Sequence, residues 1–263
     1  QKKGSNYFGL CPFHNEKSPS FSVSPQKQMY YCFGCGKGGN VITFVMDYEN
    51  ESFQEAVASL AERAGIELPQ EEESEESRRQ ADYRSILFAI QKEAARYFYH
   101  QLMSENGKRG YLYLRGRGLS DETIKNFGLG YANQYPDDLY RFLRQKGFSD
   151  AQLKDSGLVK IDERGCYDKF WNRVMFPIMD ANNRVIAFGG RVMGDGKPKY
   201  LNSPETLIFN KRKNLFALNY AKKSKAGYLI LVEGYMDAIA LHQYGFDCAV
   251  ASLGTALTDD GAT

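Results

Sequence analysis

Two pairs of potential metal ligands lie near the start of the chain. Cys11-Pro-Phe-His14 and Cys32-Phe-Gly-Cys35 each place two residues between their ligands, and 17 residues separate the pairs. This spacing lets four side chains surround one Zn²⁺ ion tetrahedrally. Four protein ligands leave no position for an activated water, so the predicted zinc is structural. The alternative is a thioredoxin-like redox pair at Cys32 and Cys35, which needs no Cys-x-x-His partner and opens a helix after a strand.

A second candidate for chemistry is the carboxylate of Glu233. The apolar run Tyr228-Leu-Ile-Leu-Val232 predicts a strand, and a helix at Tyr235–Tyr244 and a strand at Cys248–Ala251 complete a βαβ unit with a parallel sheet. Glu233 then lies at the carboxyl edge of that sheet, where α/β proteins bind ligands. It could equally cap the following helix, and the local pattern favours neither role. Asp237 is interpreted as a partner of the helix dipole.

Basic charge is concentrated in one part of the chain. Residues 164–225 contain 13 Lys and Arg against 4 Asp and Glu, although the net charge of the whole chain is only +2. Such a block predicts a polyanionic partner, because bound phosphates release their counterions. Gly189-Gly190-Arg191 and Gly194-Asp-Gly196 are predicted as turns that could approach phosphate. Three aromatic residues near the zinc ligands could stack on unpaired bases or belong to the small core: Tyr30, Tyr31 and Phe33.

The elements around the cysteines predict a zinc-ribbon domain, residues 1–68. Strands at Phe21–Ser24 and Gln28–Cys32 flank a turn, and helices follow at about residues 40–48 and 52–64. The apolar face of the second helix is predicted to hold Phe53, Val57, Leu60 and Ala64.

An acidic linker is predicted at residues 69–77, because this stretch clusters like charge and offers no apolar residue after its proline. The amphipathic helix Arg78–Met103 then begins a mixed α/β domain, whose basic part covers residues 78–226 and whose parallel-sheet part starts at 227–263. Between them the sequence predicts three short helices and a β-hairpin: Ser120–Asn126, Asp137–Gln145, Ser149–Asp155, and Arg173–Ile178 joined to Arg184–Phe188 by Asp180–Asn183. The predicted fold class is therefore α+β with several domains.

Cysteine usage indicates a reducing compartment. Outside the zinc ligands only Cys166 and Cys248 remain, in contexts that suit core thiols better than a disulfide. No apolar run approaches the roughly 18 residues of a membrane span, and the start shows no signal-peptide pattern. Since the first residue is Gln1 and not Met, we expect the sequence to be a fragment.

Taken together, the motifs resemble those of bacterial replicative DNA primases of the DnaG type. The resemblance runs along nearly the whole chain. Six segments carry it: Cys11-Pro-Phe-His-Asn-Glu-Lys-Ser-Pro-Ser-Phe21, Tyr31-Cys-Phe-Gly-Cys35 with Gly38-Gly39-Asn40, Arg173-Val-Met-Phe-Pro-Ile178, Ala187-Phe-Gly-Gly-Arg191, Pro198-Lys-Tyr-Leu-Asn-Ser-Pro-Glu205 and Val232-Glu-Gly-Tyr-Met-Asp237.

The resemblance implies a zinc-binding domain that helps recognise single-stranded template, and a polymerase domain with a Toprim-type catalytic sheet. Such an enzyme makes short RNA primers from ribonucleoside triphosphates by nucleotidyl transfer assisted by Mg²⁺ or Mn²⁺. The resemblance also implies that Glu233 is catalytic and belongs to an acidic cluster that holds the divalent metal. Four basic residues are implied to contact template and nucleotide phosphates: Arg117, Arg191, Lys199 and Lys211.

Members of this family continue past the strand near Ala251 to an Asp-x-Asp motif that completes the metal site. A C-terminal domain then engages the replicative helicase. Neither lies in this sequence, so the Toprim part is expected to be truncated and the fragment alone to be inactive. The resemblance also implies a cytoplasmic bacterial protein at the replication fork, without membrane association.

Two other functions are weighed. One is a non-catalytic zinc module that binds single-stranded DNA, against which the strand, turn and helix around Glu233 argue. The other is a different Toprim enzyme, such as a topoisomerase or nuclease, but no nucleophilic tyrosine in a separate domain is identified.

Overall fold

The computed structural model describes residues 1–49, 53–66, 75–163 and 165–254. The chain divides into two compact units, Gln1–Glu73 and Ser74–Thr263. Both units mix helices and strands, which confirms the predicted α+β class. The finer domain boundaries at residues 68, 77 and 226 stay predictions.

The first unit is built on a five-stranded sheet in which each strand pairs antiparallel with the next along the chain. Two helices follow the sheet, and the predicted strands of the zinc ribbon are confirmed as its third and fourth strands. The elements are β1 Lys2–Lys3, β2 Asn6–Gly9, β3 Phe21–Ser24, β4 Met29–Cys32, β5 Gly38–Asn40, α1 Val41–Glu49 and α2 Phe53–Ala64.

An aromatic cluster fills the core of this unit. The rings of Phe21 and Tyr30 stack with centroids 5.2 Å apart, and Phe44 of α1 meets Tyr30 edge-on at 5.3 Å. The predicted apolar face of α2 is wrong at its two ends, because Phe53 and Ala64 are exposed. The buried residues of α2 are Ala56 and Ala61, whose small side chains let the helix pack closely on α1.

The second unit begins with the long helix α3, Glu75–Met103. It starts three residues before the predicted Arg78, with Glu75 and Glu76 in its first turn, where carboxylates interact favourably with the helix dipole. Residues 69–74 of the predicted linker lie outside the described residues. The predicted apolar face is confirmed by the buried residues Leu87, Ile90, Ala94, Phe98 and Leu102.

Short helices and strands make up the rest of this unit. The three predicted short helices are confirmed as α5 to α7, whereas α4 and the β7–β8 hairpin have no counterpart in the prediction. In chain order the elements are a 3₁₀ turn Glu105–Gly107, α4 Lys108–Gly116, α5 Asp121–Asn126, β6 Gly130–Ala132, α6 Asp138–Gln145, α7 Asp150–Asp155, β7 Val159–Asp162, β8 Gly165–Asp168, β9 Arg173–Met179, β10 Val185–Val192, β11 Tyr200–Asn202, a 3₁₀ turn Lys211–Lys213, α8 Leu218–Ala221, β12 Ile230–Val232, α9 Tyr235–Gln243 and β13 Ala249–Ala251.

An antiparallel sheet of order β11-β10-β9-β6 forms the centre of this unit, and α3 packs against β6 and β10. The predicted β9–β10 hairpin is confirmed. Strands β12 and β13 pair in parallel, with Ile230 opposite Ala249 and Val232 opposite Ala251, so the predicted βαβ unit is confirmed too. Across the described ranges, no helix combines the length and apolarity needed to cross a membrane.

The predicted turn at Gly189-Gly190-Arg191 is wrong, because these residues lie inside β10. A Cβ on Gly189 would lie 2.5 Å from Cε2 of Tyr235, and one on Gly190 would lie 2.8 Å from Cδ1 of Phe170. Both glycines therefore make room for aromatic rings and do not form a loop around phosphate. The second predicted turn holds, with Gly194 at a φ of 84°.

The carboxylate of Asp168, the last residue of β8, caps the N-terminus of helix α6, although Asp168 is 30 residues away from the start of that helix in the sequence. Its Oδ2 accepts a hydrogen bond from the backbone N–H of Leu139 and its Oδ1 accepts one from Tyr140, both at 2.8 Å. Asp137, which precedes the helix, makes no side-chain cap bond. Burial raises the pKa of Asp168 to about 7, although the hydrogen bonds from the two N–H groups oppose this rise. The carboxylate thus satisfies N–H groups that have no partner within the helix.

We expect Asp168→Ala to lower the free energy of unfolding of the second unit by about 1–3 kcal/mol, because two backbone N–H groups lose their acceptor. Urea denaturation followed by the fluorescence of Trp171, the only tryptophan of the chain, measures this. The matched control is Asp137→Ala, which removes an ion pair with Arg141 at the surface and should cost at most about 0.5 kcal/mol. Equal losses in both variants would contradict the capping role.

Candidate functional site

The four predicted zinc ligands converge in the first unit. Their ligand atoms all lie within 4.8 Å of one another. Cys11 Sγ is 3.9 Å from Cys35 Sγ, and Cys32 Sγ is 3.8 Å from His14 Nδ1. A tetrahedron with metal–sulfur bonds of about 2.3 Å has edges of about 3.8 Å. The four side chains therefore fit Zn²⁺ and leave no open coordination position.

Backbone amides around the cysteines support this geometry. Phe13 N donates to Cys11 Sγ at 3.4 Å, and Cys35 N donates to Cys32 Sγ at 3.5 Å. Hydrogen bonds of this kind favour the thiolate that binds metal. After Cys32 the chain turns directly into β5 and not into a helix. The structure therefore does not fit the alternative of a thioredoxin-like redox pair.

Only part of the predicted aromatic surface near the zinc site is exposed. Tyr30 is 4% exposed and belongs to the core, so the stacking prediction is wrong for this residue. Tyr31 and Phe33 are 47% and 70% exposed, and their rings meet edge-on with centroids 5.1 Å apart. These two side chains remain candidates for stacking on bases.

In the second unit, two of the predicted phosphate-binding residues have Tyr113 as a neighbour: Arg191, and Arg117, whose backbone N–H donates to the carbonyl of Tyr113 at 3.0 Å. The guanidinium of Arg191 lies over the ring of Tyr113, with Cζ 4.3 Å from the centroid, and Nη1 donates to the carbonyl of Val192 at 2.9 Å. Burial raises the pKa of Tyr200, and the charges of Arg191 and Arg117 oppose that rise. Arg191 and Arg117 are therefore electrostatic neighbours of Tyr200, and we call these two residues the arginine cluster.

Tyrosine rings connect this arginine cluster to the strand end that carries Glu233. The centroid of Tyr200 is 6.5 Å from that of Tyr235, the second residue after Glu233. Tyr235 stacks on Phe176 at 5.2 Å, and its hydroxyl donates to Asn202 Oδ1 at 2.5 Å. Glu233 itself is exposed just beyond β12.

The acidic residues near this edge do not complete a metal site by themselves. Asp237 is exposed in the first turn of α9, and a Cβ on Gly234 would lie 3.1 Å from its Oδ2. This position agrees with its predicted role at the helix terminus. In the part of the chain that the structure describes, the zinc ligands are the one group of three or more candidate ligands. Among these residues, Glu233 therefore belongs to no group of three or more candidate ligands.

The two remaining predicted residues, Lys199 and Lys211, lie in different surroundings. The carbonyl of Lys199 accepts a hydrogen bond from Val192 N at 3.0 Å, so this lysine is adjacent to the end of β10 that carries Arg191. Lys211 lies in a 3₁₀ turn. Burial lowers the pKa of Lys169, and the charge of Lys211 lowers it further. Lys211 is thus an electrostatic neighbour of Lys169, which the sequence reasoning missed.

Lys169 lines a cavity of about 720 Å³ that was not predicted. Two more lysines, Lys154 and Lys160, line it together with Tyr167 and Trp171, and the indole of Trp171 is 51% exposed. An exposed aromatic ring beside several ammonium groups suits an unpaired base next to phosphate. The sequence signal was present in Lys169-Phe-Trp171, within the basic block.

Other basic residues of the block at 164–225 form hydrogen bonds or ion pairs within the second unit. Arg173 is buried and donates to the carbonyls of Gly190 and Pro198 at 3.2 and 3.0 Å. Arg184 pairs with Asp180 at 2.7 Å. The charge count therefore overstates the basic surface that is available to a polyanion.

Three family models match consecutive parts of the chain. They are the CHC2 zinc finger over residues 1–76, the N-terminal domain of the DNA primase catalytic core over 97–222 and the Toprim domain over 227–263. The chain belongs to the DnaG primase family. The zinc-finger match and the ligand geometry together identify a structural zinc site.

Relatives of the DnaG primase family support the same assignment. The DNA primase of Clostridium acetobutylicum is 49% identical over 263 residues, covering 100% of this chain and 44% of the relative. The crystal structure of the zinc-binding and RNA polymerase domains of Aquifex aeolicus primase is 38% identical, with a TM-score of 0.61, and covers 100% of this chain and 63% of that one. A DnaG primase catalytic domain bound to single-stranded DNA is 41% identical, with a TM-score of 0.64, over 69% of this chain and 57% of that one.

We expect the purified protein to carry one zinc ion per chain. His14→Ala or Cys35→Ala should lose the ion and unfold the first unit, because binding free energy at a structural zinc site is largely folding free energy. Elemental analysis and limited proteolysis of the first unit measure both effects. Cys166→Ala, which changes a thiol of the second unit, serves as the control and should keep the ion. Full zinc retention by His14→Ala would contradict the assigned ligand set.

Proposed function

We propose that the chain is the zinc-binding and polymerase part of a DNA primase, which synthesises short RNA primers on a single-stranded DNA template. The observation that carries the proposal is a series of neighbours: Arg191 lies opposite Tyr200 in the β10–β11 pair, and the ring of Tyr200 lies 6.5 Å from that of Tyr235, which is two residues after Glu233. This arrangement supports a role for the cationic Arg191 near the sheet edge that bears the candidate catalytic carboxylate. Membership of the DnaG primase family and the relative bound to single-stranded DNA support it.

The reaction is nucleotidyl transfer from a ribonucleoside triphosphate. The 3′-hydroxyl of the growing primer loses its proton to water, and its oxygen forms a bond to the α-phosphorus. The bond from the α-phosphorus to the oxygen that bridges the α- and β-phosphates breaks, which releases pyrophosphate. The guanidinium groups of Arg117 and Arg191 offset charge that develops on the phosphate oxygens. Lys199 and Lys211 add point charges for template or nucleotide phosphates.

Glu233 contributes one carboxylate to a divalent metal, Mg²⁺ or Mn²⁺, in the whole enzyme. Mg²⁺ keeps most of its waters and needs further oxygen ligands to be fixed, so one carboxylate does not make the site. Further ligands would come from the Asp-x-Asp motif that members of the family carry after the strand that here ends at Ala251. The chain covers less than half of the curated relatives' length, 44% of the C. acetobutylicum primase.

We also propose a path for the template strand across the second unit. The cavity with Lys169 and Trp171 takes an unpaired base and its phosphate, and Lys211 extends the positive charge beyond Lys169. In the first unit, Tyr31 and Phe33 offer a further stacking surface. Base stacking tolerates any sequence, which suits an enzyme that must follow a template.

As a primase, the whole protein would act in the cytoplasm at the replication fork. A C-terminal domain outside this sequence would engage the replicative helicase. These partners follow from family membership and not from contacts in this chain.

We expect binding of single-stranded DNA to weaken steeply with salt. Arg191→Ala and Lys199→Ala should each lower affinity across unrelated sequences and make the salt slope shallower by about one, because phosphate contacts carry no sequence information. Titration of a labelled oligonucleotide at several salt concentrations measures affinity. Quenching of Trp171 fluorescence in the same titration reports on its cavity.

The control for this titration is Lys146→Ala, because Lys146 already pairs with Glu93 at 3.2 Å. This variant should bind DNA like the parent protein. An affinity that does not change with salt, or that is the same in all three variants, would remove Arg191 and Lys199 from the DNA-binding surface.

In a protein extended to the length of its relatives, Glu233→Gln should abolish primer synthesis while DNA binding survives, because the amide removes a charged oxygen ligand from the metal site. A template-dependent assay with radiolabelled ribonucleotides measures synthesis. Glu122→Gln, at an exposed position of α5, is the control and should remain active. Primer synthesis by the Glu233→Gln enzyme would show that this carboxylate has no catalytic role.

A further inference from the structure

The carboxylate of Glu16 joins the first pair of zinc ligands to the strand that follows them. Glu16 Oε1 accepts hydrogen bonds from Cys11 N at 2.7 Å and from Ser20 N at 3.1 Å. Its Oε2 lies 3.4 Å from His14 Nε2 and accepts a hydrogen bond from the Ser20 hydroxyl. The loop from Cys11 to Ser20 therefore closes around one carboxylate, whose side chain is only 10% exposed.

The imidazole of His14 is oriented by these contacts. Its Nδ1 faces the cysteine sulfurs, at 3.8 Å from Cys32 Sγ. Its Nε2 therefore points away from the ligand cluster and towards Glu16. Binding of metal through Nδ1 requires the tautomer with its proton on Nε2, and a carboxylate facing that nitrogen favours this tautomer.

A second link reaches the other ligand pair. Ser20 Oγ lies 3.2 Å from Cys32 Sγ as well as within hydrogen-bond distance of Glu16. Gly34 provides the space for this arrangement, because a Cβ at this position would lie 2.6 Å from His14 Nε2 and 2.8 Å from Ser20 Oγ. Glu16 and Ser20 thus connect Cys11, His14 and Cys32 without being ligands.

We propose that Glu16 is a positioning residue of the zinc centre, which holds His14 with Nδ1 towards the ion and so raises the affinity for zinc. Partners of this type typically change metal affinity by about 10–100-fold when they are removed. Glutamine keeps the size of the side chain but replaces one accepting oxygen with a donor. Its NH₂ group cannot accept hydrogen bonds, so glutamine cannot replace both carboxylate oxygens of Glu16 as acceptors for Cys11, Ser20 and His14.

The test measures zinc affinity of the 263-residue chain by competition with a chromogenic chelator. Glu16→Gln should weaken zinc binding about 10–100-fold. The Co²⁺-substituted protein should show a changed visible absorption spectrum, because the imidazole is no longer held in place. Glu49→Gln, which alters an exposed ion pair with Arg63 in the same unit, is the matched control and should bind zinc like the parent protein.

A second background separates positioning of His14 from a general effect on the fold. His14→Cys gives a four-cysteine site without an imidazole. If Glu16 acts through His14, Glu16→Gln should have a smaller effect in this background. The change in log Kd for zinc should be less than about half of the change that Glu16→Gln causes in the parent protein. An undiminished loss in the His14→Cys background would overturn the proposal, as would Glu16→Gln binding zinc within twofold of the parent protein.

Discussion

The buried ring of Tyr235 is the contact on which the candidate site of the second unit depends. It begins α9, two residues after Glu233, and it lies against Phe176 of β9 and beside Gly189 of β10. Its hydroxyl is held by Asn202, which in turn donates to the carbonyl of Leu253. The parallel β12–β13 pair is thereby attached to the antiparallel sheet close to Glu233, the residue that follows β12.

The packing of Tyr235 on the sheet restricts the residue type at Gly189 more than it restricts the side chains of Arg117 and Arg191. A methyl group at Gly189 would occupy the space of the Tyr235 ring, whereas Arg117 and Arg191 are long side chains at the end of α4 and near the end of β10. The central sheet thus supports, through the Tyr235 ring, the helix that follows Glu233.

Features encoded within a short stretch could be predicted from the sequence. The zinc ligands follow from spacing, and the caps of α5 and α7 follow from Ser120 and Ser149. Features that depend on residues distant in sequence could not be predicted. Asp168 caps a helix that begins 30 residues earlier, and the packing role of Gly189 is visible only with Tyr235 in place. The charge count likewise could not separate the buried Arg173 from cations at the surface.

The small core of the first unit makes its folding an equilibrium with free metal. Four aromatic rings form most of the small core of the ribbon. Binding of Zn²⁺ by the four ligands adds folding free energy that so small a core does not provide. By mass action, each tenfold fall in free Zn²⁺ lowers the stability of a metal-bound fold by about 1.4 kcal/mol as long as the concentration stays well above the dissociation constant. The fraction of molecules in which the first unit is folded therefore depends on the concentration of free Zn²⁺.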